Sequence, residues 1–253
     1  MDFITAIILG IVEGVTEFLP ISSTGHLVIV NQWLSFSPDF TKMFDVIIQL
    51  GAILAVLAHF RSKLRPPFVI WKKAIVAVIP ALVLGALFGS AIEAALFNPD
   101  VVAGALIIGG AILVLVEKRT LAPTITEAGA VGYKKALYIG LAQCLALIPG
   151  TSRSAASVIG ARLLGMSRPA AAEFSFFLAV PTMLAASGYS LLKHGIHMTG
   201  HEAALLVTGF VVSFVVAWAV IGAFMRFIQT RSFASFGWYR IVLGAIVLLF
   251  LAR

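Results

Sequence analysis

Charge is what this chain has least of. Only 11% of its 253 residues are Asp, Glu, Lys or Arg, while 60% are hydrophobic and the mean hydropathy is +1.05. Soluble domains carry roughly 25% charged and 45–50% apolar residues, so an ordinary water-soluble domain is excluded. Disorder is excluded by the same scarcity, because the chain has ample apolar surface to bury. Cysteine is almost missing. Cys144 stands alone, so an intrachain disulfide is impossible, and its apolar surroundings read as packing. Met1-Asp2-Phe3 lacks the basic region of a signal peptide, so the first helix is expected to belong to the mature protein. The net charge of +7 does not point to nucleic acid, because in so apolar a chain basic excess marks cytoplasmic loops and anionic headgroups.

What the chain has instead is apolar sequence on the scale of the ~20 residues needed to cross a bilayer. The expected fold class is an all-α membrane protein of about ten helices, forming a single integral membrane domain over residues 1–253. Six segments read as full spans: 43–60, 74–92, 101–117, 170–190, 203–225 and 237–252. Four are shorter and form two pairs, 3–19 with 24–35 and 136–148 with 154–165. Each pair meets at a proline followed by a hydroxyl-rich run, Pro20-Ile21-Ser22-Ser23-Thr24-Gly25-His26 and Pro149-Gly150-Thr151-Ser152-Arg153-Ser154. Non-helical backbone at membrane depth survives only where protein or a water-filled cavity receives its polar groups, so both pairs are expected to be re-entrant hairpins. Pro80 and Pro181 read as kinks within spans.

The halves, about 1–119 and 130–253, resemble each other. Leu9-Gly10…Pro20-Ile21-Ser22-Ser23 parallels Ile139-Gly140…Pro149-Gly150-Thr151-Ser152 with one residue of slippage. Phe44…Leu54-Ala55 matches Phe174…Leu184-Ala185 at an offset of 130, and Ile107 to Ile112 resembles Ile241 to Ile246. Three matches in one order read as an internal repeat. With the basic loop 61–73 inside, 14 basic residues, Arg240 among them, fall on the cytoplasmic side. Lys42, Lys193 and Arg253 fall outside, and Arg153 lies within the membrane. The positive-inside rule then places both termini outside and makes the repeat inverted. Inverted repeats with broken helices put a ligand site where the repeats meet.

Few polar groups lie in apolar segments, and each costs roughly 2.5–3.5 kcal/mol at mid-membrane if ionised. Glu13 and Glu17 are one helical turn apart and require a cation, an arginine or a shared proton, unless they mark a partly solvated helix end. Ser22, Ser23, Thr24 and His26 follow closely. Hydroxyl, carboxylate and imidazole at this density suit nucleophilic and general acid/base catalysis, or else simple helix capping. Arg153, between Ser152 and Ser154, opens the last short helix. A planar guanidinium beside a helix N-terminus suits phosphate oxygens, and it could equally pair with Glu13 or Glu17. Gln143, Asp45, Gln49 and Glu173 read as cavity or supporting residues. His194, His197 and His201 read as a solvated outer loop rather than a metal site.

The run Glu13-Gly14-Val15-Thr16-Glu17-Phe18-Leu19-Pro20-Ile21-Ser22-Ser23-Thr24-Gly25-His26 closely resembles the first signature of the bacterial undecaprenyl-diphosphate phosphatases, the bacitracin-resistance family. Pro149-Gly150-Thr151-Ser152-Arg153-Ser154 resembles the second, and the likeness extends over nearly the whole chain. It implies a multi-pass enzyme of the bacterial cytoplasmic (inner) membrane that removes the terminal phosphate of a polyprenyl diphosphate lipid. This reaction recycles the carrier for cell-wall polymers and underlies bacitracin resistance. It further implies a Mg²⁺ or Ca²⁺ dependence through Glu13 and Glu17, and Ser23 as nucleophile. His26 would be nucleophile or acid/base, and Arg153 would bind phosphate with Ser152, Ser154, Ser22 and Thr24 beside it. The catalytic hairpin is expected nearer the outer, periplasmic face, membrane lipids are the surroundings, and a homodimer is left open. Ala155 departs from the family pattern, where glycine is frequent. The rival reading of the same site is a transporter or a polyprenyl-phosphate flippase, neither of which requires Ser23 and His26 beside two carboxylates.

Overall fold

The computed structural model describes residues 2–31, 34, 36–119, 122–194 and 198–250; His197 and Arg253 therefore lie outside the described residues. Ten α-helices follow in order: α1 (Asp2–Thr16), α2 (Ser23–Val30), α3 (Pro38–His59), α4 (Val69–Leu96), α5 (Pro99–Lys118), α6 (Tyr133–Gln143), α7 (Arg153–Leu163), α8 (Arg168–His194), α9 (Gly200–Thr230) and α10 (Ala234–Phe250). Apart from an isolated bridge between Ile125 and Met166, no strand forms among the described residues.

Local chemistry sets the ends. Asn98 accepts the Val101 N–H at 2.9 Å and Pro99 follows, which starts α5. A reciprocal capping box between Thr199 and Glu202 starts α9, three residues before its apolar run. Pro80 and Pro181 lie inside α4 and α8 without ending them. The helix α1 stops at Thr16, whose hydroxyl donates back to the Val12 carbonyl at 2.7 Å. The helix α6 stops at Gln143 and tightens into a 3₁₀ turn, Cys144–Leu147, before Pro149.

Five described helices (α3, α4, α5, α8 and α9) contain windows long and apolar enough to cross a membrane, and α10 is shorter at 17 described residues. The surrounding solvent is read most directly from α4, whose window has mean hydropathy 2.5 yet is only 11% buried. In water so much exposed apolar surface would drive association; in lipid it is solvated. The chain is an all-α membrane protein.

Inside, α5 packs on α10, α9 on both α1 and α3, and α4 on both α6 and α8. Adding 130 to the residue numbers carries α1 to α6, α2 to α7, α3 to α8, α4 to α9 and α5 to α10. The pairs α1–α9 and α3–α9 then become α6–α4 and α8–α4. The α5–α10 crossing is close because glycines face glycines. A Cβ on Gly110 would sit 2.6 Å from the Gly237 carbonyl oxygen, and one on Gly237 would sit 2.7 Å from that of Gly110.

Basic segments interlock at one end of the bundle. Glu117 takes Arg162 Nε at 3.0 Å and Arg168 Nε at 2.6 Å. Lys135 donates to the Leu164 carbonyl, and Lys63 pairs with Glu173. The starts of α1 and α9 meet elsewhere, through Asp2 and His201 at 3.3 Å.

Candidate active site

The loops before α2 and α7 are built alike. Ser22 and Ser152 both occupy the left-handed region, at φ 73° and 70°, where a residue with a Cβ is strained. Each hydroxyl caps its helix: Ser22 Oγ accepts the Gly25 N–H at 3.3 Å, and Ser152 Oγ accepts the Ala155 N–H at 3.2 Å. The caps correspond at an offset of 130, without the slippage that the two prolines suggest, so Ser23 and Arg153 occupy equivalent first helical positions. Gly150 takes φ 87° and lies against α5, where an added Cβ would stand 2.8 Å from Val102 Cα. Only glycine meets both demands without strain.

These tips face one cavity of ≈ 250 Å³. Glu17, Ser22, Ser23, Thr24, Ser152 and Arg153 line it, with Gln49 from α3, Gln143 from α6 and Thr182 from α8. First-turn residues of two helices thus converge on a single space, which favours an anion there.

One carboxylate joins the tips. Glu17 Oε1 accepts Arg153 Nη2 at 3.0 Å, and Glu17 Oε2 accepts the Ser23 hydroxyl at 2.5 Å. Of the two acidic partners open to Arg153, the structure chooses Glu17. The pair is deeply placed, with side-chain exposures of 12% for Arg153 and 5% for Glu17. Arg153 Nη1 donates to the Ser175 carbonyl at 3.0 Å, its Nε has no partner, and its Cζ lies 5.6 Å over the Phe18 ring. Ser154 Oγ donates to the Leu19 carbonyl at 2.7 Å, clipping one tip to the other.

Three expected site residues are not on the cavity wall. Ser154 is buried in that clip. Glu13 lies behind Glu17, 1% exposed, with Oε1 lacking a partner. His26 turns toward α10: its Nδ1 lies 2.8 Å from the Ser22 carbonyl oxygen and its Nε2 lies 2.7 Å from the Tyr239 hydroxyl. A carbonyl only accepts, so Nδ1 donates; in the neutral ring Nε2 then accepts, and Tyr239 donates. Both ring nitrogens are thus engaged, one by the first tip and one by α10.

Arg240 departs most from expectation. The sequence places it among the cytoplasmic anchors, yet it has 0% exposure. Gly109 opens the space for its guanidinium, where an added Cβ would lie 3.0 Å from Arg240 Cζ. Sequence reasoning also passes over Ser175 and Ser157, whose hydroxyls meet at 2.7 Å beneath Arg153. The one local signal for Ser175 is that it is a hydroxyl set among the aromatics Phe174, Phe176 and Phe177.

The family model described as bacitracin resistance protein BacA matches residues 6–246. The chain belongs to this family. Among curated members, undecaprenyl-diphosphatase 1 of Clostridioides difficile (strain 630) is 51% identical over 98% of this chain and 96% of its own length. Undecaprenyl-diphosphatase 2 of Pseudoalteromonas translucida is 49% identical over 98% of both chains. Undecaprenyl-diphosphatase of Enterococcus faecalis is 47% identical over all of this chain and 98% of its own. Both motifs of this BacA-family chain, and the residues that line the cavity, lie within the matched region.

Proposed function

We propose that this membrane hydrolase converts undecaprenyl diphosphate to undecaprenyl phosphate and phosphate. The reaction returns the lipid carrier to cell-wall polymer synthesis and supports the bacitracin resistance for which the family is named. The observation that carries the chemistry is the Ser23–Glu17–Arg153 chain across the two tips, inside one cavity.

In this mechanism Ser23 Oγ attacks the terminal phosphorus while Glu17 Oε2 accepts its proton. The P–O bond to the bridging oxygen breaks, undecaprenyl phosphate leaves, and water then releases phosphate from the serine. Phosphoryl transfer needs positioning and charge neutralisation above all. Arg153, held by Ser175, supplies a fixed cation, and the first turns of α2 and α7 supply N–H groups. Ser22, Thr24 and Ser152 flank the phosphates on the wall. Ser154 and His26 serve by holding the tips rather than by touching substrate. The prenyl tail stays in lipid.

A divalent cation, Mg²⁺ or Ca²⁺, belongs to this reading. Glu13 offers a buried oxygen without a partner beside Glu17, and among the described residues no cluster of three His, Cys, Asp or Glu forms a closed cage. That donor set fits an ion held by one or two carboxylates and completed by phosphate oxygens, where it would neutralise charge on those oxygens.

The sidedness proposed is both termini outside and the site nearer the outer face of the cytoplasmic membrane, within an inverted repeat of halves 1–119 and 130–253. Support comes from the basic bias, still 13 to 3 once Arg240 is removed, and from the interlocked basic segments at one end. A homodimer is compatible with the apolar outer face of α4.

The test is phosphate release from a polyprenyl diphosphate by purified protein with Mg²⁺. Activity in the wild type with near-complete loss in Ser23→Ala and Arg153→Ala is the expected result. A wild type that releases no phosphate, or variants that keep full rates, would sink the reading in favour of transport.

A further inference from the structure

Two neighbouring residues outside both motifs reach both tips. Tyr239 and Arg240 are consecutive on α10, so their side chains leave the helix about 100° apart. Tyr239 is half exposed and donates to His26 Nε2, whose opposite nitrogen donates to the Ser22 carbonyl of the first tip. The two rings stack with centroids 5.6 Å apart and planes within 4°. Arg240 turns inward, and its Nη2 donates to the Gly150 carbonyl of the second tip at 3.3 Å and to the Ala105 carbonyl at 3.1 Å.

The Arg240 guanidinium is an expensive way to satisfy two carbonyls. It is fully buried, pairs with no carboxylate among the described residues, and keeps Nε and Nη1 without partners. A buried charge carried without a counter-ion is otherwise selected against. Its two acceptors explain its position. Gly150 is, with Ser152, one of two left-handed residues of the second tip and lines the cavity, and a glycine there resists peptide rotation less than any other residue. A rotated carbonyl would bring a partial negative charge to the place that receives phosphate. The Ser22 carbonyl, next to the nucleophile, is held by His26 in the same way.

We infer that Tyr239 and Arg240 are positioning residues that hold the two tips in register, Tyr239 through His26 on the Ser22 carbonyl and Arg240 directly on the Gly150 carbonyl. This assignment rests on the phosphatase reading for its kinetic consequence, but not for its structural one. Full-length protein in lipid nanodiscs is compared by amide hydrogen exchange as wild type, Tyr239→Phe, Arg240→Lys and Arg240→Met. Tyr239→Phe is expected to raise exchange in residues 19–25 and leave 149–155 at the wild-type level. Arg240→Lys, which keeps the charge but loses the fork, is expected to do the reverse, and Arg240→Met to do so more strongly. In phosphate release, each single variant is expected to lower kcat about tenfold with KM within about twofold, the scale of one lost positioning hydrogen bond. Adding Tyr239→Phe to His26→Ala should cost nothing further.

Equal exchange changes in both tips, or no change in either, would overturn the inference, as would additivity of Tyr239→Phe with His26→Ala. If Arg240→Met fails to fold, Arg240→Lys decides alone. A wild type without phosphatase activity would sink the proposed function, and hydrogen exchange would then decide the register by itself.

Discussion

Replacing Glu17 by glutamine tests the proposed chemistry at its centre. The side chain keeps its shape and one acceptor oxygen, and loses its charge and the ability to take the Ser23 proton. Two magnitudes follow. A positioned general base contributes about 10²–10⁴-fold, so kcat should fall by that range. The Glu17–Arg153 pair spans 3.0 Å in a largely buried setting. At an effective dielectric of about 20 the Coulomb energy at that separation is about 5.5 kcal/mol. Removing one partner of such a pair costs about 3–5 kcal/mol, because the other charge stays behind, so Glu17→Gln should also melt measurably below the wild type. Adding Arg153→Met should restore part of that stability and none of the rate, which separates the two roles. The assay is initial-rate phosphate release with the folded fraction measured in parallel by thermal unfolding. A Glu17→Gln enzyme within threefold of wild-type kcat would refute Glu17 as the base. A loss confined to KM would move Glu17 from proton transfer to binding.

Three further outcomes are expected. Ser23→Ala should cost at least about 10³-fold in kcat, while His26→Ala, losing only an anchor, should cost about tenfold in the same assay; the reverse order would return the nucleophile to histidine. Chelation should abolish phosphate release and Mg²⁺ restore it, and Glu13→Gln should raise the Mg²⁺ concentration for half-maximal rate at least several-fold; an unchanged titration would remove Glu13 from the cation's ligands. Gly150→Ala should destabilise by more than the ~1–2 kcal/mol of left-handed strain, since its methyl also meets Val102, and a melting temperature within a degree of wild type would contradict the tip geometry.

Much of this is legible in the sequence because lipid imposes simple rules. A span must be apolar and continuous, so the runs locate each described helix, with ends up to about five residues off. A break at membrane depth must carry polar groups, so Pro20 and Pro149 announce the tips. The departures have a common origin. Periodicity and hydropathy report where a residue would sit if only solvent acted on it, not which partner it meets. Arg240, at the rim of an apolar run, reads as an anchor, because nothing local reveals that Gly109 on another helix opens a space for it. His26 reads as part of the site from its neighbours in sequence, and nothing local shows that its ring meets Tyr239, 213 positions away. Ser175 is one hydroxyl in a run of aromatics, and its contact with Arg153 exists only once α7 crosses α8. The start of α9 precedes its apolar stretch for a local reason: Thr199 and Glu202 close a capping box ahead of it.

The matched caps at Ser22 and Ser152 carry a consequence for how such a site could arise. The same strained serine prepares the same helical position in each half, and the two positions hold opposite things, a hydroxyl at Ser23 and a permanent cation at Arg153. Under the proposed chemistry, two copies of the first half facing each other would present two hydroxyls and no cation for the phosphate. Two copies of the second would press guanidinium against guanidinium with nothing to attack. Only an unlike couple works, and a couple of unlike parts cannot be maintained by self-association, which gives both partners the same residue. Carrying both halves on one polypeptide guarantees one of each, in equal number and fixed orientation, so that a change at one tip can be tolerated without being copied to the other.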